Sequence, residues 1–313
     1  MHVEDTRRAK KEPMVRIVIG GSSGFIGSEL VARLEARGDE VTRLVRREVA
    51  APNESPWDPE NGEIDVAALE GADAIVNLGG VGIGDKRWSD EYRAAILTSR
   101  VAATSTLVTA VAKTAQPPGH FISGSAIGYY GDRGDETLTE ESVSGPEDDF
   151  LVEVAKAWEE AALPVIDAGV PLAFLRSGLV LGDGGLLDRL LIPFKLAVGG
   201  RMGSGQQWWS WISRVDHVRA ILHIIDNKLT GAYNLTAPNP VRNADFAKSL
   251  ANALGRPAIV PTPAFALNAI LGADRAKALV FSSARVLPQS LRGAGFEFDH
   301  PTLSGAWADI LDD

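Results

Sequence analysis

The stretch from Arg16 to Glu48, RIVIGGSSGFIGSELVARLEARGDEVTRLVRRE, limits the fold more than any other part of the chain. The β-branched run over residues 15–20 stops at glycine. Phe25, Ile26, Leu30, Val31 and Leu34 then recur at helical spacing. Gly38 ends that helix, and EVTRLV at residues 40–45 supplies a second strand. Gly21, Gly24 and Gly27 form G-x-x-G-x-x-G immediately after the first strand. The first permits a tight turn, the second lets backbone approach a pyrophosphate, and the third lets helix and strand pack closely. Phosphates then rest on free N–H groups at the helix N-terminus, so Ser23, Phe25 and Ile26 join the three glycines as expected cofactor-side residues.

The two arginines near the end of this stretch refine the expectation. A carboxylate at the end of the second strand would hold both ribose hydroxyls of NAD and repel a 2′-phosphate. This chain instead has Val45 followed by Arg46 and Arg47. Arg46 offers a planar anion clamp, which favours NADP(H), the alternative being two solvated arginines.

Strand and helix patterns keep alternating: DAIVNLGG (73–80), a helix over 89–115, HFISGSA (120–126), a helix over 148–169, and PLAFLRSGLVLG (171–182). Such alternation implies parallel pairing through right-handed crossovers, hence an α/β fold with a doubly wound parallel Rossmann sheet. Beyond residue 183 the chain turns Gly- and Trp-rich, with GAYNLTAP (231–238) as one more strand and residues 261–311 as helices around a Gly-broken turn. The expected organisation is a leader at 1–13, an NADP(H)-binding domain at 14–182 with sheet additions near 210–238, and a smaller, mostly helical substrate lobe at 183–313.

Composition removes several functions. A net charge of −10 without a basic block argues against nucleic acid and anionic membranes as partners. There is no cysteine for a disulfide, thiolate metal site or Cys nucleophile, and the histidines lack metal-ligand spacing. The leader has no apolar core segment like that of a secretory signal, and no apolar run approaches the roughly 18 residues of a membrane span, so a cytoplasmic protein is expected. A small-molecule substrate is the expected partner, and apolar faces on the two long helices suggest a homodimer.

NLGG (77–80), GDKRW (84–88), SRVAAT (99–104), SGSAIGYYG (123–131), RSGLVLG (176–182) and GSGQQWWSWI (203–212) occur in one order. Together they resemble the extended branch of the short-chain dehydrogenase/reductase superfamily, and within it an uncharacterised epimerase-like group with a C-terminal segment similar to residues 261–311. The resemblance spans about residues 14–311. It implies nucleotide-dependent oxidoreductase or isomerase chemistry and adds Leu78, Gly79, Gly80 and Val180 to the cofactor side.

In that branch Ser, Tyr and Lys carry the reaction, with tyrosine as acid/base and lysine lowering its pKa. A phenol with an ordinary pKa near ~10 needs such a cation at neutral pH. Ser125 matches the serine, but DDFLVEVAKAWEEA (148–161) contains no tyrosine. Lys156 has Val152 four residues before it; a register one residue earlier gives Ala155 and Leu151. The resemblance also puts Arg100 in place of a helix asparagine, beside the cofactor. Tyr129 or Tyr130, in the loop after Ser125, is left as substitute acid/base, with packing as the alternative for each. GGRMGSGQQWWSWISRVDH (199–217) offers Arg201 and Gln207 with three tryptophans, either a substrate pocket or packing between lobes, and Ser213 stands where relatives often carry histidine.

The leading expectation is an NADP(H)-binding, epimerase-like oxidoreductase acting on a hydroxyl or carbonyl compound, a nucleotide sugar among the candidates. The rival is a cofactor sensor that kept the nucleotide site and lost the chemistry, motivated by the missing Tyr/Lys pair.

Overall fold

The computed structural model describes residues 14–258 and 260–311. Through Leu235 its strands are β1 (Arg16–Gly20), β2 (Glu40–Val45), β3 (Glu54–Asp58), β4 (Glu63–Ile64), β5 (Ala74–Asn77), β6 (Phe121–Ala126), β7 (Thr137–Leu138), β8 (Leu172–Ser177), β9 (Leu179–Leu181), β10 (Trp208–Trp209), β11 (Trp211–Ser213) and β12 (Gly231–Leu235). Eight of these build the central sheet in the order β12-β8-β6-β5-β1-β2-β3-β4. Neighbours pair in parallel except β3 with β4. Strand order reverses at β1, which has β2 on one side and β5 on the other. Doubly wound sheets bind ligands in the crevice beyond the strand ends at such a reversal.

Helices cover both faces, which is why β1 and β5 read as short apolar runs and every residue of β6 but the last is buried. On one face α1 (Phe25–Arg37) contributes Leu30, Val31 and Leu34 to a core shared with Val218, Ile221 and Ile224 of α5 (Arg214–Asp226). Burying each such side chain stabilises the fold by about 1.5–3 kcal/mol. On the other face α2 (Asp90–Val111) and the 3-10 turn after α3 (Phe150–Ala162) bury Ala103, Leu107, Val111 and Val165 against Val18, Ile75 and Phe121. Asp149 caps α3 by accepting from the Leu151 and Val152 amides.

A separate core joins Leu187, Leu190 and Phe194 of α4 (Gly185–Lys195) to Trp209, Trp211, Phe246 and Trp307. The helices Asn243–Ala253, Ala264–Leu271 and Leu303–Ile310 enclose it. Although α5 and β12 follow residue 183, they belong to the sheet and its first core.

Three features differ from the sequence reading. ESPWD forms β3 beside β2, where Pro56 and two acids hide any alternating pattern. α2 is long and apolar enough by composition to cross a bilayer, with a window of mean hydropathy 1.4, yet it packs on the sheet through the residues named above. Among the described residues, exposed large apolar side chains include Leu163 and Ile166 in the 3-10 turn that continues α3, and Ile192, Leu196, Phe265 and Ile270 outside the two long helices.

Candidate functional site

Two concavities adjoin at the strand ends. The first, a groove of about 510 Å³, runs over the glycine turn and the end of β2. Gly21 holds φ +80°, and a Cβ there would lie 2.7 Å from the Leu78 carbonyl carbon. At Gly27 a Cβ would meet the Gly21 carbonyl oxygen at 2.2 Å, so the start of α1 is pressed onto the turn. Gly24 caps α1 without a side-chain hydrogen bond, and the first turn carries no acid. Its amide groups are therefore not taken by a side-chain cap, as an anion site requires.

Gly21, Ser23, Gly24, Val45, Arg46, Leu78, Gly79 and Gly80 all line this groove. Ile26 packs into the core. Phe25 instead stacks under the Arg214 guanidinium, 4.9 Å from ring centroid to Cζ, and touches the loop at Gly184 and Gly185. Val180 packs against the core from the short β9–β11 pair.

The arginines divide their labour. Arg47 forks onto Glu54, donating at 2.6 and 2.9 Å, and Arg43 lies 3.7 Å from the same carboxylate. The Arg47 hydrogen bond, helped by the Ala50 amide, holds the Glu54 pKa down to about 2. Arg46 has no carboxylate within 4.0 Å among the described residues. Arg43, which the sequence reading passed over, lines the groove with Arg46 and Arg47, while Glu60 lies at its rim. Three basic residues within five positions were the available signal.

The second concavity, a cleft of about 190 Å³, lies between α3, β8, β10 and the segment after Ala278. Its wall includes Ala126, Leu151, Ala155 and Trp158. The register of α3 is thus the one that points Leu151 and Ala155 inward. Lys156 is turned away from the cleft, 3.4 Å from Glu147 Oε1, because helix neighbours one residue apart face different directions.

Ser125 and Tyr130 do not reach the cleft either. Ser125 Oγ donates to Glu159 Oε1 at 2.7 Å, and Arg176 forks onto Glu159 at 2.8 and 2.9 Å. Arg176 Nη1 donates to the Tyr130 hydroxyl at 3.0 Å, and that hydroxyl donates to Asn234 Oδ1 at 2.7 Å. Tyr130 is fully buried, which pushes its pKa up to about 12. Tyr129 stacks on the Arg176 guanidinium, 3.6 Å from Cζ to ring centroid. With half-buried Tyr129 stacked at its edge, Ser125, Glu159, Arg176, Tyr130 and Asn234 form a buried polar network, and none of them lines the cleft. Sequence reading missed Glu159 and Arg176; a charged residue inside the apolar run LAFLRSGLVL was the signal that a buried partner existed.

The cleft itself carries Arg100, Ser177, Ser210, Ser282 and Asp149. Arg100 lines this cleft rather than the groove, packing against Gly80 at their boundary. Ser177 Oγ lies 2.8 Å from Nε2 of His217, which is fully buried; desolvation brings the imidazole pKa down to about 3 and keeps it neutral. No sequence signal singled out this pair. Gln207 donates to the carbonyls of Met202 and Val280 and is buried, and Arg201 donates to the Gly203 carbonyl, so both tie loops together outside the cleft lining. Ser213 caps α5, with Nδ1 of His300 2.9 Å from its hydroxyl. Among the described residues no acid, histidine or cysteine cluster is suited to a metal.

The reversed strand order, the glycine turn on a bare helix start and the cationic groove define a Rossmann-type protein built like the NAD(P)-dependent epimerases. Residues 17–236 match the NAD dependent epimerase/dehydratase family, and 262–310 match a domain of unknown function, DUF1731. The chain belongs to that epimerase/dehydratase family. It is 41% identical over 292 residues to epimerase family protein ML0860 of Mycobacterium leprae, covering 93% of this chain and 94% of the relative. The crystal structure of human epimerase family protein SDR39U1 (isoform 2) with NADPH superposes with a TM-score of 0.88 at 33% identity, covering 96% of this chain and all of that one. A nucleoside-diphosphate sugar epimerase from Corynebacterium glutamicum gives 0.77 at 37% identity, over 95% of this chain and 58% of its own.

Proposed function

We propose that this chain binds NADP(H) in the groove and serves hydride exchange with a small hydroxyl or carbonyl compound in the cleft. Arg46 carries the reading: it directly follows β2 where an NAD-selective acid would stand, lines the groove and has no carboxylate within 4.0 Å among the described residues. NADPH in the structure of the human relative supports it. In this reading the amides of Ser23, Phe25 and Ile26 take the pyrophosphate, the Gly24 amide being held by the Gly21 carbonyl, Arg46 with Arg43 takes the 2′-phosphate, and the backbone of Leu78–Gly80 flanks the other end. The bound nicotinamide supplies the hydride chemistry. Trp158, Trp208 and Trp209 exclude water from the cleft, and Ser177, held by neutral His217, orients the substrate oxygen.

The cofactor half is tested by fluorescence titration with NADPH and NADH, on the wild type and on Arg46→Ala. Preference for NADPH that the substitution removes is expected. Equal affinities would refute it.

One observation favours the second reading, a cofactor sensor without turnover. Ala126, Leu151 and Ala155 occupy the cleft wall, so none of these three positions offers an acid/base, help worth roughly 10²- to 10⁴-fold in rate. Tight NADPH binding without hydride exchange across a broad carbonyl panel would select it.

A further inference from the structure

The cleft is small and apolar, and one arginine in its wall has donors that lack acceptors. Its volume of about 190 Å³ falls below the roughly 300–1,000 Å³ of pockets for drug-sized ligands. Aliphatic and indole side chains make up most of its wall, with Ala278, Leu279 and Ala284 closing it from the C-terminal segment.

Arg100 is the cationic side chain in that lining. Among the described residues only its Nη1 is bonded, to the carbonyls of Val81 and Ile96 at 3.0 and 2.9 Å, and no carboxylate pairs with it. The guanidinium stacks on Trp158, 5.0 Å from Cζ to ring centroid, which fixes its plane. Desolvation lowers its pKa to about 10, so it stays charged at neutral pH while poorly hydrated. Asp149, the acid in the lining, is already committed to the Leu151 and Val152 amides. Ser210 likewise donates to Ala284 and accepts from Val286. A half-buried cation with free donors on an apolar wall is satisfied by an anion whose remainder is apolar.

We infer that the cleft takes a compact, largely apolar carboxylate, its carboxylate on Arg100 and its hydrocarbon against Trp158 and Leu151. The inference rests on the hydride-exchange reading above and names its substrate class. A nucleotide sugar is the competing class, since its bulk and several hydroxyl groups suit neither the volume nor the lining.

The test uses the full chain, with and without saturating NADPH, and three probes: 3-phenylpropionate, the uncharged 3-phenylpropionamide and UDP-glucose. Tryptophan fluorescence reports binding because three tryptophans line the cleft. We expect the carboxylate to bind at least tenfold more tightly than the amide and UDP-glucose to bind most weakly. Arg100→Met should erase the preference for carboxylate over amide, and Arg100→Lys should retain part of it. Circular dichroism checks folding of both variants. Equal affinity for carboxylate and amide, binding of none of the probes, tighter UDP-glucose, or an unchanged carboxylate preference in Arg100→Met would each overturn the inference. Failure of the wild type to bind NADPH would instead sink the cofactor reading, while the probe preference is still read on the protein without NADPH.

Discussion

The groove and the cleft meet at Gly80 and Arg100 yet are built on opposite principles. The groove is backbone and cation: glycines that admit close approach, a helix start without a cap, and arginines of which one is clamped and another left open. The cleft is side-chain hydrocarbon around one stacked guanidinium, over a buried ionic network that never reaches its surface. The difference teaches where this molecule tolerates change. A groove made of backbone fails through added bulk, whereas a cleft made of side chains fails through lost support.

The heaviest blow to the cleft comes from below it. Glu159→Ala leaves Arg176 buried without its carboxylate, and a broken buried ion pair costs about 3–5 kcal/mol. Urea unfolding should show that loss, while NADPH affinity of the folded fraction stays near wild type.

Added bulk breaks the groove. Gly27→Ala drives a methyl group against the Gly21 carbonyl, at a cost of about 1–3 kcal/mol in overpacking. NADPH binding should disappear at concentrations that saturate the wild type, measured by the same titration.

Acid separates the regions by another route. His217 has a folded-state pKa of about 3, below the ordinary 6.5, so between these values the unfolded chain binds more protons and stability rises with pH. Lowering the pH from 7 to 5 should therefore cost about 2 kcal/mol from this residue. Melting curves against pH should flatten in His217→Gln, and an unchanged slope would show that His217 is not held neutral.

Smaller effects follow at the rim. Arg46→Ala should weaken NADPH by about tenfold, the value of a charged hydrogen bond near 1.5 kcal/mol, and leave NADH alone. Lys156→Ala should change stability by less than about 0.5 kcal/mol, because its contact with Glu147 is an exposed pair. A large effect there would restore Lys156 to the chemistry and undo the inward register of Leu151 and Ala155.

The same contrast explains what the sequence made legible. β1, the glycine turn, α1 and β2 are consecutive, and their spacing specifies both their structure and the groove they frame. The cleft joins residues near 100, 126, 151–158, 177, 208 and 279, a closeness that no local pattern encodes. At Lys156 the question was one residue of helix register, decided by which face of α3 meets the sheet. Ser125 and Tyr130 looked reactive because hydroxyl groups are visible in a sequence, while the Glu159–Arg176 pair that binds them is created by folding.

Closure of the cleft by Ala278, Leu279 and Ala284 also sets an order of events during synthesis. Every residue lining the groove has been translated by Ala103, whereas the last part of the cleft wall waits for Ala284. At roughly 5–20 residues per second these points lie about 10–35 s apart on the ribosome. A transcript cut short before residue 278 would therefore encode all of the nucleotide groove and a cleft open on one side.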